Sequence, residues 1–452
     1  MARNQPIYVC NSCGADTPKW QGQCPHCSAW NTLSRLTGVR PTSSFPTGAA
    51  IPTGSTLQAD TLPEQRLSLG MAELDRVFGG GLGVGSVSLL GGEPGIGKST
   101  LLLQVAAAVA RDRPVLYASG EESTHQTNQR ARRLGLSAPG LTVLSDNSLE
   151  AILGLSQELR ATLLVVDSIQ TMQTQLVDSS PGSVQQLREG TAALVRYAKQ
   201  SGTSVIIVGH VTKDGAIAGP KLLEHLVDTV LYFDADAGSR YRMLRATKNR
   251  FGPVNELGFF AMSENGLREV RNPSAIFLSR SPEPVPGSLV MVARDGGRPL
   301  LIEVQALVDH TRFSTPRRVA QGVDANRLSM LLAVMSRHSK VVLSEYDVYV
   351  NLVGGLQITE TATDLPLALA LASSLRGVAL EATLVAFGEL GLTGEVRPVP
   401  HGEERLRELH KQGYRRAIVP NQNAPRLGID NLEILPVATL AQALAAAFPS
   451  VR

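Results

Sequence analysis

Four cysteines stand in two pairs, CNSC at 10–13 and CPHC at 24–27, and the rest of the 452-residue chain holds none. Each C-x2-C puts two thiolates on one tight knuckle, and two knuckles supply the tetrahedral sulfur set that Zn²⁺ favours. Cys10, Cys13, Cys24 and Cys27 therefore form a candidate zinc site. Four protein ligands leave no open position, so its role would be structural. A module this short cannot fold on a hydrophobic core, and metal binding would also be its folding energy. The alternatives are two disulfides or redox-active pairs, both disfavoured in a chain that uses no cysteine elsewhere. His26, between two of the ligands, reads as a bystander; Trp20 and Trp30 are expected to pack the ribbon, with a contact to a partner as the alternative.

A second constellation begins at GEPGIGKS, residues 92–99, which matches G-x-x-x-x-G-K-[ST] at every fixed position. It follows an apolar run, SVSLL (86–90), and opens a helical one, STLLLQVAAAVA (99–110). Strand, glycine-rich loop and helix together make a phosphate cradle, in which backbone N–H groups and the helix N-terminus face the anion. Gly92, Glu93, Pro94, Gly95, Ile96, Gly97, Lys98, Ser99 and Thr100 are the expected lining. Lys98 would touch the β- and γ-phosphates of ATP, and the Ser99 hydroxyl would hold Mg²⁺.

Further groups suit the same chemistry. LLVVD (163–167) is an apolar strand ending in a carboxylate, Asp167, suited to the Mg²⁺ shell. SGEES (119–123) follows the strand PVLYA, and either Glu121 or Glu122 could polarise an attacking water; the sequence does not choose between them. His210 ends SVIIVGH (204–210) and could sense the γ-phosphate. The bland alternatives are an Asp that caps a turn and a histidine on the surface.

These groups need a scaffold. From about 65 to 271, apolar runs such as SVSLL, PVLYAS (114–119), LLVVDS (163–168), SVIIVGH and TVLYF (229–233) alternate with helical patterns. Such alternation implies an α/β fold with a parallel sheet covered on both faces. Residues 1–33 are the cysteine module, and 34–64 a linker rich in Pro, Gly, Ser and Thr. Residues 272–288 read as a second linker and 289–452 as a smaller α+β domain. A net charge of +3 neither demands nor excludes nucleic acid, so any basic surface must be local. Met1–Tyr8 lacks the apolar stretch of a signal peptide, and Arg111 and Asp112 end the richest apolar run, 101–110. A cytoplasmic protein with no membrane span is expected.

ATKNRFG (246–252) stands apart, with Lys248 and Arg250 flanking one Asn at the end of a strand-like run. With GMAELDRVFGGGL (70–82), the two cysteine pairs, GEPGIGKST, SGEES and GHVTKDGAIAGP (209–220), it makes the chain resemble the bacterial RadA/Sms family of DNA repair proteins over essentially its whole length. KNRFG is that family's signature. The resemblance implies a zinc ribbon, a RecA-like P-loop ATPase core and a C-terminal Lon-protease-like domain. It implies ATP, Mg²⁺ and Zn²⁺ as cofactors, single-stranded and branched DNA as partners, a homo-hexameric ring, and work alongside the cell's main recombinase.

In a ring with ATP between subunits, Lys248 and Arg250 would reach a neighbour's γ-phosphate as a finger in trans. The other readings are a contact with DNA phosphates, extended by Arg240, Arg242 and Arg245, and a solvated strand end. By the same resemblance, 174–189 and 212–221 are mobile loops lining a DNA channel, with Lys213 and Lys221 on phosphates. In the Lon-like domain the catalytic serine's position falls on Leu367 and the lysine's on Glu403. Neither can do the dyad's chemistry, so a scaffold without proteolysis is implied. Ser373 and Ser374 are expected to pack, and His310, Arg312, Arg317 and Arg318 form a basic patch that faces DNA or solvent. The implied function is a DNA-dependent ATPase that branch-migrates recombination intermediates as a translocase or helicase. The alternative is an ATP-switched clamp or adaptor that recruits partners without translocation.

Overall fold

The computed structural model describes residues 8–35, 65–210, 223–235, 240–278, 283–295, 297–355 and 357–449. They fall into two compact units, dividing between Val270 and Arg271.

At the N-terminus, β1 (Tyr8–Cys10) pairs antiparallel with β2 (Asp16–Thr17) and β3 (Leu33–Arg35). The buried cluster there is Cys10, Cys24 and Leu33, too little apolar matter to hold a fold without a staple. Trp20 and Trp30 do not pack this ribbon: they are 56% and 69% exposed, because two knuckles enclose no interior large enough for an indole.

The rest of the first unit is built on a nine-stranded sheet. A small hairpin of β4 (Arg66–Leu67) and β5 (Leu82–Gly83) encloses helix α1 (Ala72–Val77) ahead of it. The sheet strands are β6 (Val87–Gly92), β7 (Val115–Ser119), β8 (Leu141–Ser145), β9 (Leu163–Asp167), β10 (Ser204–His210), β11 (Thr229–Asp234), β12 (Tyr241–Asn249), β13 (Leu257–Ser263) and β14 (Gly266–Glu269). Their order is β14-β13-β12-β11-β6-β10-β9-β7-β8. The first six in sequence are parallel, as the alternating apolar runs predict, whereas β12, β13 and β14 add on antiparallel. Short connections permit that antiparallel edge.

Alternate residues of the central strands enter two different cores. Val115, Tyr117, Leu163, Val165, Ile206 and Val208 face the side covered by α1 and α2 (Lys98–Val109). Leu116, Ala118, Leu164, Val166, Val205 and Ile207 face the side that holds α4 (Leu149–Glu158) and α5 (Val184–Ser201). Burial on both faces is why these strands read as unbroken apolar runs. Helix α3 (Thr124–Arg133) starts with a capping box in which Ser123 and Gln126 exchange hydrogen bonds. The carboxyl ends of β6, β7, β9 and β10 open at one edge, where parallel α/β sheets place their ligands.

The segment 174–189, expected as a mobile loop, is ordered by its own sequence. Residues 184–189 are the first turns of α5. Gln186, 3% exposed, accepts from Thr174 N and donates to the carbonyls of Thr174, Val177 and Ser179 at 3.0–3.1 Å. One buried amide thus holds the whole turn.

In the second unit, β15 (Ser288–Asp295), β16 (Arg298–His310), β17 (Arg318–Gln321), β18 (Tyr346–Leu352), β19 (Leu384–Ala386), β22 (Arg416–Pro420) and β23 (Glu433–Val437) form a seven-stranded sheet. A two-stranded piece, β20 (Glu389–Leu390) and β21 (Val396–Arg397), lies apart from it. Helices α6 (Ala325–Ser339), α7 (Asp364–Arg376), α8 (Gly402–Lys411) and α9 (Leu440–Ala447) complete an α+β unit. The stretch 272–288 does not behave as a linker throughout. Pro273–Ile276 form a 3₁₀ turn, Phe277 is 2% exposed, and its carbonyl accepts from Glu303 N.

Candidate nucleotide site and zinc centre

Glycine geometry and hydrogen bonds within the chain shape the β6–α2 loop. Gly97 caps α2 in the left-handed region, φ 116°, where a Cβ would lie 2.8 Å from Met262 Cε. Only glycine suits this position. Lys98 follows it and is 3% exposed, with Nζ donating to the carbonyls of Gly92 (2.7 Å) and Glu93 (2.8 Å). Burial pushes this ammonium down to about 8, against the pull of the Asp167, Glu121 and Glu93 charges. Arg242, expected on a DNA track, instead donates Nε–H to the Ile96 carbonyl and so buttresses the loop. Arg240 does lie exposed, with its guanidinium over the Tyr241 ring.

Asp167 ends β9 and is 4% exposed. The Tyr117 hydroxyl donates to its Oδ2 at 2.5 Å, while Oδ1 is buried without a hydrogen-bond partner. A buried carboxylate oxygen left over in this way is a donor atom aimed at a cation. With the half-buried Ser99 hydroxyl at the start of α2, the residues fit a phosphate-bound Mg²⁺.

The structure separates the two glutamates. Glu121 accepts from the Ser168 hydroxyl and from His210 Nε2, the latter at 2.9 Å. A carboxylate can only accept, so His210 Nε2 is the donor in this contact, while Nδ1 is buried without a partner. The His210 hydrogen bond, opposed by burial and helped by Ser168 and Lys98, pulls the Glu121 carboxyl down to about 2. Glu122 points elsewhere, in an ion pair with Arg130 on α3. Glu121 is therefore the carboxylate that shares the cleft with Lys98 and His210.

In the ribbon, the four cysteine sulfurs lie within 4.8 Å of one another. Cys10 Sγ is 3.6 Å from Cys27 Sγ, and Cys13 Sγ is 3.7 Å from Cys24 Sγ. A tetrahedron with metal–sulfur bonds of about 2.3 Å has edges of about 3.8 Å. No two of the four are joined by a disulfide, and their spacing suits a four-sulfur metal centre.

Comparisons with known proteins agree with this geometry. Residues 8–35 match the model of a rubredoxin metal binding domain, 53–216 that of an AAA domain, and 325–423 that of the ChlI subunit of Mg-chelatase. The DNA repair protein RadA of Pseudomonas aeruginosa is 52% identical, the alignment covering 99% of this chain and 100% of that one. RadA of Escherichia coli is 51% identical over 97% of both chains, and that of Bacillus subtilis 44% identical over 98% of this chain and 99% of its own. This chain belongs to the RadA family of DNA repair proteins. Among solved structures, a RadB recombinase matches 45% of the chain, 100% of its own, with 23% identity and a TM-score of 0.37. With the RadA relatives and the matched domains, the fold is, in chain order, a four-cysteine ribbon, a RecA-like P-loop core and a Lon-protease-like domain.

The KNRFG segment, residues 248–252, is a structural node in this chain. Between Val230 and Leu231 the β11–β12 register shifts, so Ala246 faces Leu231 and Lys248 faces Val230. The extra residue, Thr247, is a bulge. Without this bulge, plain alternation from Ala246 would put Lys248 on the face of the α1–α2 core. With it, Nζ donates to the carbonyls of Glu224 (2.6 Å) and Val227 (2.8 Å), with His225 at 3.5 Å. Burial first, and the Arg250 charge next, lower its pKa. Arg250 pairs with Asp228 at 3.2 Å and is 54% exposed. Asn249 donates to Phe78 O and accepts from Phe251 N, while Arg66 donates to Phe251 O.

In the second unit Leu367 is buried in α7, whereas Glu403 is exposed and pairs with Arg407 one turn along α8. Ser373 Oγ accepts from Gly287 N, and Ser374 Oγ accepts from Val308 N. Both are bound into the packing. Of the basic patch, Arg318 is spent on the carbonyls of Leu343 and Tyr346, and Arg317 stacks 4.3 Å from the centre of the exposed Phe313 ring. Lys213 and Lys221 lie outside the described residues. Sequence reading missed Tyr117, Ser168, Gln186 and the loop-supporting role of Arg242. Their partners lie on other elements of the fold, and no motif spacing reports them.

Proposed function

We propose that this RadA-family chain binds ATP with Mg²⁺ at the β6–α2 loop and hydrolyses it in response to DNA. What carries the reading is the convergence on one sheet edge of Lys98, the spare Asp167 oxygen and the Glu121–His210 pair. On binding, Lys98 would exchange the Gly92 and Glu93 carbonyls for phosphate oxygens. Ser99 and Asp167 would hold Mg²⁺, which neutralises phosphate charge when bound. Glu121 stays ionised at neutral pH and would orient the attacking water. His210, bonded to Glu121 and ending β10, would register the γ-phosphate. The four cysteines would hold Zn²⁺ as a structural centre.

The assembly is proposed as a hexameric ring in the cytoplasm on single-stranded and branched DNA, acting beside the main recombinase, with Lys213, Lys221 and Arg240 at the DNA. With Lys248 engaged inside its own chain, Arg250 is the more available cation for a neighbour's nucleotide. The C-terminal domain is read as a scaffold without proteolysis, because Leu367 and Glu403 lack the dyad's chemistry. Strand displacement on a forked DNA tests the motor. Displacement that requires hydrolysis supports it. ATP-dependent DNA binding without displacement would give the clamp instead.

A further inference from the structure

Tyr117 is 1% exposed and enters the α1–α2 core from β7, beside Val165, its register partner on β9. Its hydroxyl occupies Oδ2 of Asp167, leaving Oδ1 as the carboxylate's spare atom. A carboxylate oxygen that already accepts a hydrogen bond is the poorer metal donor, so chelation of one ion by both oxygens is disfavoured. Mg²⁺ takes single oxygens in a strict octahedron and keeps several waters, whereas Ca²⁺ accepts six to eight oxygens and readily uses both atoms of a carboxylate. Tyr117 and Asp167 are both buried, at 1% and 4% exposed, so rotating the carboxylate would cost the hydrogen bond without water to replace it.

We infer that Tyr117 is a positioning residue that restricts Asp167 to one-oxygen binding and so makes the nucleotide site select Mg²⁺ over Ca²⁺. The inference rests on the nucleotide-site reading above. The partners of ligating carboxylates typically change metal affinity by about ten-fold to a hundred-fold when removed.

The test titrates Mg²⁺ and, separately, Ca²⁺ into full-length protein carrying a ribose-labelled fluorescent ATP. Wild type, Tyr117→Phe, Asp167→Asn and the double variant are compared, and nucleotide binding in EDTA reads the folded fraction. Tyr117→Phe should raise the Mg²⁺ half-saturation about ten-fold, leave Ca²⁺ unchanged or tighter, and leave binding in EDTA intact. In the Asp167→Asn background it should change nothing. The unmutated chain gives a second reading, since its preference for Mg²⁺ must exceed that of the free nucleotide. An equal shift for both ions, no excess preference in wild type, or no shift in Tyr117→Phe while Asp167→Asn does shift, overturns the inference and leaves the site standing. An Asp167→Asn variant with unchanged Mg²⁺ titration overturns both.

Discussion

Lys98 should make the proposed nucleotide site sensitive to alkali, and the size of the effect follows from its surroundings. Burial holds its ammonium at about 8 instead of 10.5. That shift corresponds to about 3 kcal/mol against the charged form in the free protein. A bound triphosphate supplies the missing counter-charge, so binding should draw a proton onto Lys98 whenever the free site has lost one. Below the folded value the lysine is already charged and affinity should be flat. Above it affinity should fall about ten-fold per pH unit until the ordinary lysine range is reached.

The assay is calorimetric titration of metal-free ATP in two buffers of different ionisation enthalpy, at about pH 7 and about pH 9. Close to no proton should be taken up at the lower pH and close to one per nucleotide at the higher. Lys98→Met should bind weakly at both and take up none. The sign for stability is opposite: the depressed lysine costs the free protein stability below the folded value, and the cost is relieved as pH rises toward the unfolded one. Flat affinity across this range, with no proton uptake, would refute a buried, charge-starved Lys98.

Three further outcomes follow from particular contacts. Lys248→Met removes the donor shared by the Glu224 and Val227 carbonyls and should destabilise the first unit by about 1–3 kcal/mol, read by chemical denaturation; an unchanged midpoint contradicts the internal role. Gln186→Leu removes four hydrogen bonds and should make 174–179 exchange amide protons far faster, with the sheet amides unaffected. Cys27→Ala should lose one equivalent of zinc and unfold the ribbon while ATP binding survives; loss of ATP binding as well would tie the ribbon to the core.

Much of the nucleotide site is legible in the chain because its chemistry is local. The loop is a run of eight residues whose glycines set its shape, and Asp167 is marked by the apolar strand it ends. The parallel strands are legible for the same reason, being apolar on both faces. What the chain conceals is contact across strands. Tyr117 reads as one more core residue, yet its hydroxyl defines which Asp167 oxygen is left. Arg242 reads as one of several cations near KNRFG, and only the sheet order brings it to Ile96. The choice between Glu121 and Glu122 depends on the turn after β7, which sends one side chain to His210 and its neighbour to Arg130. Trp20 and Trp30 mislead because large apolar side chains suggest burial, and the ribbon has no interior to offer.

The central claim is that the edge holding Lys98, Asp167 and Glu121 hydrolyses ATP under the control of DNA. The most direct measurement is the steady-state hydrolysis rate of wild type and Glu121→Gln at saturating ATP, each with and without single-stranded DNA, with nucleotide affinity measured in parallel. Wild type should be stimulated by DNA, and Glu121→Gln should bind ATP normally while losing about a hundred-fold or more of the stimulated rate. A Glu121→Gln variant that hydrolyses at the wild-type rate, or a wild type indifferent to DNA, would contradict the account.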